Sequence, residues 1–254
     1  MSANRHVRNA QSGFTAVEMM ISLLILGVIT GGIFAQIDLA QQRAFSEQVK
    51  LDNFQEARDF VDQFFRDVNQ IGYPNSRMVD TNPLTTSWLP LLTFPLINDN
   101  RLAIGLVKID ANAIQFEGDM NGDGVVQSII YMINGSASVA CALCLQRSQV
   151  DKVIGDPLIG QAAPNWGTET NDVITNPIFS YFKADGTPVT ALPVDITTGA
   201  AIIASVKTIK ISLTIRNNAV MDPKTHQPIE TNFEGEISLN NCSMAASGAP
   251  MSCN

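Results

Sequence analysis

Residues 19–37 run without a single charge, between Glu18 and Asp38. Nothing else in the chain constrains its folding as much. About 20 apolar residues match the length of a membrane-crossing helix or the core of a secretory signal. The thirteen residues before Phe14 carry Arg5, His6 and Arg8 and no acid. A secretory signal is cut after its apolar run, at small residues. Here the small residue, Gly13, stands before the run, so a cut between Gly13 and Phe14 removes a basic leader and leaves the apolar segment in place. Glu18 sits at the top of that segment. An ionisable residue at the edge of the hydrocarbon is expensive without a partner and is read as functional by default.

The basic residues nearest the span, Arg5 and Arg8, precede it, which puts the N-terminus in the cytoplasm and the bulk of the chain on the other side. Arg43 and Lys50 follow the span, but Asp38 and Glu47 accompany them. The net charge of -8 argues against nucleic-acid binding, which needs a basic patch. Cys141, Cys144, Cys242 and Cys253 would face an oxidising compartment, where an even count allows two disulfides in three pairings. Cys141 and Cys144 have CxxC spacing but lack the βαβ context of a redox motif, and the gap from Cys242 to Cys253 is unlike a zinc knuckle. A structural disulfide is the better reading. Of the two histidines, His6 lies in the leader and His226 in a Pro-flanked, solvent-exposed loop. No catalytic constellation and no phosphate loop is present, so the chain is not read as an enzyme.

No proline occurs between Phe14 and Tyr73. Phe54, Ala57, Val61, Phe64, Val68 and Ile71 recur at three- and four-residue steps, one face of a helix. Glu56, Arg58, Asp59, Asp62, Arg66 and Asp67 fill the positions assigned to water. Gly72 and Pro74 stop the pattern. One continuous helix from Phe14 to Ile71 is expected, the alternative being two helices with a break near residues 38–45.

Beyond Tyr73 the chain is loop-rich to about Arg101, with Trp88 and Phe94 as anchors, and then turns strand-like. Short strands are expected at 103–109, 113–116, 125–133, 142–147 and 178–183. A hairpin is signalled at Ala184-Asp185-Gly186-Thr187. Residues 208–216 alternate, with Ile209, Ile211, Leu213 and Ile215 inward, and 232–239 pairs with them. The fold class is therefore α+β: a long N-terminal transmembrane and amphipathic helix packed on an antiparallel β-sheet head.

Asp119-Met120-Asn121-Gly122-Asp123-Gly124 matches the first half of a calcium loop, and Asp119, Asn121 and Asp123 are its candidate ligands. The bidentate Glu required at the twelfth position is replaced by Ile130. An acidic hairpin turn is the favoured reading; Glu117 and Gln127 would complete a looser calcium site. No other cofactor is expected.

The run Gly13-Phe14-Thr15-Ala16-Val17-Glu18 with its apolar stretch resembles the class III signal of type IV prepilins and type II secretion pseudopilins. The resemblance implies cleavage after Gly13 by a prepilin peptidase and N-methylation of Phe14. It implies that Glu18 pairs with the N-terminal amine of a neighbouring subunit during assembly. It further implies a leader at 1–13, an N-terminal helix at 14–72 and a β-rich extracytoplasmic head at 73–254. Within the helix, the membrane span is expected at about 17–37 and the amphipathic part at 38–72. Gly72-Tyr73, Tyr131, Leu145-Gln146-Arg147, Phe179 to Phe182 and the 206–216 strand, in that order, look like PilW-type minor pilins and their J-type pseudopilin relatives. Leu239-Asn240-Asn241 departs from their strand followed by Arg-Asn. The Ser/Ala/Gly-rich segment between Cys242 and Cys253 resembles the C-terminal disulfide loop of many pilins. The expected role is a minor subunit of a type IV pilus that primes or caps assembly. Its partners would be other pilin subunits, the peptidase and the inner membrane. A J-type pseudopilin and a membrane-anchored calcium-binding adhesion module are the alternatives.

Overall fold

A chain with no proline across some sixty residues has nothing to stop a helix once it starts. In this computed structural model, which describes residue 13 and residues 15–74, 101–134, 143–222 and 224–239, helix α1 runs unbroken over Ala16–Asn69. Its 54 residues reach ~81 Å at about 1.5 Å per residue. The expected continuous helix is present, and Gly31-Gly32 does not interrupt it. Its first thirty residues stand clear of the rest of the chain, with Val17, Met20, Leu24, Val28 and Phe34 exposed. Burial begins at Ser46 and becomes regular from Asn53 onward.

Two antiparallel sheets receive the second half of α1. The larger is built from β1 (Leu106–Ile109), β2 (Ala113–Gly118), β3 (Gln127–Ile133), β4 (Leu145–Asp151), β5 (Trp166–Thr170) and β7 (Val194–Asp195), in the order β5-β4-β3-β2-β1-β7. The smaller has the order β6-β8-β9, from β6 (Phe179–Lys183), β8 (Val206–Met221) and β9 (Pro228–Ser238). A five-residue helix, α2 (Ala200–Ala204), precedes β8. The alternation read from residues 208–216 holds: Ile209, Ile211, Leu213 and Ile215 are buried. Thr208 to Arg216 pairs with Glu230 to Ser238 in continuous register. The hairpin at Asp185-Gly186 is also present, with the Lys183 amide donating to the Thr187 carbonyl.

The core lies where α1 meets both sheets at once. The Phe64 ring is 5.3 Å from Tyr131 of β3 and 5.5 Å from Phe179 of β6, so one helical residue touches a ring from each sheet. Phe60 adds an edge-to-face contact with Tyr131 at 5.7 Å, the geometry that aromatic quadrupoles favour. The sheets are also stitched directly. Tyr181 of β6 donates its hydroxyl to the Asp110 carbonyl, and the Ile178 and Phe179 amides both donate to the Ala111 carbonyl. Farther up the helix, the Lys50 ammonium lies 3.3 Å from the Asp222 carboxylate in the β8–β9 loop. The Lys224 and Thr225 amides, joined by Lys50, hold that carboxyl down to about 2.

The end of α1 is spliced onto β2. Gly72 takes a φ of 76°, which only glycine adopts without strain. The turn lets the Gly72 amide donate to the Glu117 carbonyl and the Tyr73 carbonyl accept from the Asp119 amide. Between those two bonds lies Gly118, where an added Cβ would meet the Gln70 carbonyl oxygen at 2.3 Å. Backbone cannot yield as a flexible side chain does. Gly118→Ala should therefore cost about 1–3 kcal/mol, the range for forcing atoms into a filled site. Urea unfolding of the detergent-solubilised chain measures this, and a wild-type midpoint would show that the helix end is not tightly docked.

Candidate functional site: the helix start and its buried anchor

A helix start leaves four backbone N–H groups without partners, and the first residues decide how they are met. Thr15 is the N-cap. Its hydroxyl oxygen accepts from the Glu18 amide at 3.3 Å, while the Glu18 carboxylate accepts from the Thr15 amide and hydroxyl, both at 2.9 Å. This is a reciprocal capping box. The Thr-x-x-Glu signature before an apolar run is legible in the sequence, and it gives Glu18 a capping role beside the assembly role expected of it. Both bonds use carboxylate oxygen Oε2; Oε1 has no partner among the described residues. A negative group here also complements the positive end of the helix dipole. Gly13 is exposed, and Phe14 lies outside the described residues. Among the described residues, α1 is the one helix long and apolar enough to cross a membrane.

At the other end of α1, a carboxylate goes inward. Asp67 was assigned to the water-facing side, and the structure corrects this: it is 3% exposed. Its Oδ2 accepts from the Tyr131 hydroxyl and from Arg147 Nε, each at 2.7 Å, and its Oδ1 accepts from Gln63 at 2.7 Å. Arg147 Nε also lies 3.1 Å from the Tyr131 oxygen, and its guanidinium carbon is 5.8 Å from the centre of that ring. Burial, together with the adjacent Asp67 charge, pushes the Tyr131 phenol far above its ordinary range, so it remains a donor. Burial likewise raises the nearby Glu169 carboxyl. The sequence did hold a signal. Asp67 follows Phe60 by seven residues and Phe64 by three, which places it on their side of the helix. Tyr131 and Arg147 were singled out only as part of a resemblance; their physical role is to receive α1.

The acidic loop 119–126 joins β2 to β3 and satisfies its own backbone. The Asp119 carboxylate accepts from the Gly122 amide at 2.7 Å and the Gly124 amide at 3.0 Å. Asp123 accepts from the Val125 amide and the Asn121 side chain. Gln127 accepts from the Met120 amide. Glu117 points elsewhere: it is buried and ion-paired with Lys152 at 2.9 Å, while Lys152 also donates to the Leu102 carbonyl. The oxygens proposed as calcium ligands are thus occupied by donors of the turn. No cluster of three or more His, Cys, Asp or Glu able to hold a metal is found among the described residues. His226 is exposed in the turn before β9. Cys144 is disulfide-bonded, and no disulfide joins two described residues. Cys141, Cys242 and Cys253 lie outside them.

Two measurements check these arrangements. Tyr131→Phe deletes one bond to a charged acceptor and should cost about 1.5–3 kcal/mol. Asp67→Ala leaves Arg147 without its carboxylate and should cost about 3 kcal/mol or more. A loss under about 1 kcal/mol for Asp67→Ala in urea unfolding would contradict a buried anchor. For the acidic loop, a ligand at 100 times its dissociation constant adds about 2.7 kcal/mol. We expect no change in melting temperature with micromolar calcium and at most a small one at millimolar. A large shift abolished by Asp123→Ala would reassign the loop.

Residues 8–34 match the family model of the prokaryotic N-terminal methylation motif. Searches of curated proteins and of solved structures returned no match. The chain thus carries the N-terminal methylation motif of the type IV pilin and pseudopilin class, and that motif opens a long apolar helix seated on antiparallel sheets, a pilin-like architecture.

Proposed function

We propose that the chain is a minor subunit of a type IV pilus, cleaved between Gly13 and Phe14 and N-methylated on Phe14. After processing it stays in the inner membrane by residues 17–37, with its N-terminus cytoplasmic and its β-rich head periplasmic, until it joins the filament and primes or caps assembly. The observation that carries this reading is the state of Glu18. Among the described residues its carboxylate is held at the start of the helix through Oε2 alone, which leaves Oε1 to accept a cation. The amine of a neighbouring subunit, created by the cut, supplies that cation. A buried carboxylate without one is costly. The disulfide at Cys144 suits an oxidising compartment, and the favoured second pair is Cys242 with Cys253.

Mass spectrometry of the mature chain should give Phe14 as a methylated first residue, and Gly13→Val should retain the leader. A mature N-terminus at any other position would remove the basis of the proposal. Glu18→Ala should insert into the membrane normally, because the apolar span directs insertion, but drop out of sheared filaments. Wild-type incorporation of Glu18→Ala would mean that the carboxylate only caps its own helix. Recovery of the wild-type chain with a secretion pseudopilus instead of sheared pili would assign the J-type role.

A further inference from the structure

On the face of the larger sheet turned away from α1, one row of residues crosses five strands: Lys108, Gln115, Ile130, Ser148 and Trp166 stand in successive register. Over this row folds the chain between β4 and β5, and the space between holds a pocket of about 440 Å³. Lys108, Gln115, Ile130, Met132, Pro164 and Trp166 line it. Its volume falls in the range of about 300–1,000 Å³ typical of ligand sites. We propose that this pocket binds a small organic carboxylate with a flat apolar body.

Three observations carry the proposal. The first is charge. Lys108 is half-buried and makes no hydrogen bond or ion pair with a described residue. Its cross-strand neighbour Asp195 makes no ion pair with it; that carboxylate is turned to its own loop, where Oδ1 accepts from the amides and hydroxyls of Thr197 and Thr198. An ammonium withdrawn from water among apolar groups favours an incoming anion. The second is shape. Trp166 and Pro164 form one wall, and Ile130 and Met132 the floor, which suits a planar apolar body. The third is rigidity. Gln115 donates to the Pro157 carbonyl, and the Asn165 amide donates to the buried Ser148 hydroxyl, so the covering loop is pinned from the sheet at two points. The Gln161 amide ties the loop internally through Val153 and Asp156. A wall fixed before binding spares the ligand the entropy of ordering it.

The test is calorimetric titration of the full, detergent-solubilised chain with 2-naphthoate and, separately, with neutral 2-naphthamide. We expect saturable binding of the carboxylate at least tenfold tighter than that of the amide. Lys108→Arg should keep this preference, and Lys108→Gln should abolish it while leaving the far-UV circular dichroism and melting temperature unchanged. Trp166→Leu should weaken both ligands together. Equal affinity for the two ligands, no saturable binding, or full carboxylate preference in Lys108→Gln would each overturn the proposal. None of these outcomes bears on the processing at Gly13 or on the role of Glu18.

Discussion

The Asp67 carboxylate decides where the helix can sit. An apolar stripe such as Phe60, Phe64 and Val68 can slide or roll along a sheet at modest cost, because hydrophobic contact is non-directional. A buried carboxylate cannot. It is tolerable only where Tyr131 and Arg147 both reach it, at 2.7 Å each, and one turn of displacement would leave it and Arg147 unpaired. Removing one partner of such a pair typically costs about 3–5 kcal/mol. The aromatic rings supply attraction, while the charged cluster supplies the register. At the helix end, the close approach of Gly118 to Gln70 fixes the same register a second time.

With that half of the helix immobilised, the other half becomes a projecting rod. Continuity matters here. A single helix from Ala16 to Asn69 links the capped N-terminus to the anchored end without a hinge. The position of Glu18 relative to the sheets is therefore set by helical geometry alone, about 1.5 Å per residue. A break near residues 38–45 would have uncoupled the two. The N-terminal rows of exposed Leu, Ile and Val have no partner among the described residues, and lipid or other helices would bury them.

What the sequence revealed follows from the strength of its periods. The β8 alternation spans nine residues and the apolar face of α1 spans eighteen, long enough for a period to emerge. Elements that escaped notice have little period to read. Strand β5 is Trp-Gly-Thr-Glu-Thr at a sheet edge, mostly exposed or half-buried, and its composition reads as loop. Strand β7 has two residues and α2 has five, with Ile203 alone buried. Buried charge is harder to read. Asp67 falls among the charged positions of the helix and Glu117 beside the acidic loop, yet both are buried, each against a partner distant in sequence, Arg147 and Lys152. Such partners cannot be seen in a local pattern. The Glu18 cap, by contrast, is local: its partner Thr15 is three residues away, a spacing the sequence shows directly.

The acidic loop and the helix start use the same physical device. Asp119 meets the amides of Gly122 and Gly124, and Glu18 meets the amide of Thr15. In both, a carboxylate satisfies backbone donors that the local fold leaves open. The difference lies in what remains. Asp119 is 4% exposed and spends both oxygens inside its turn, so a ligand would have to displace existing bonds. Among the described residues Glu18 spends one oxygen, and it stands exposed in the first turn of α1, so a cation gains a contact without breaking the cap. The number of acids in a segment is thus a poor guide to binding. The unspent oxygen, and its access from outside, separates an acid that builds the fold from one that can join another molecule.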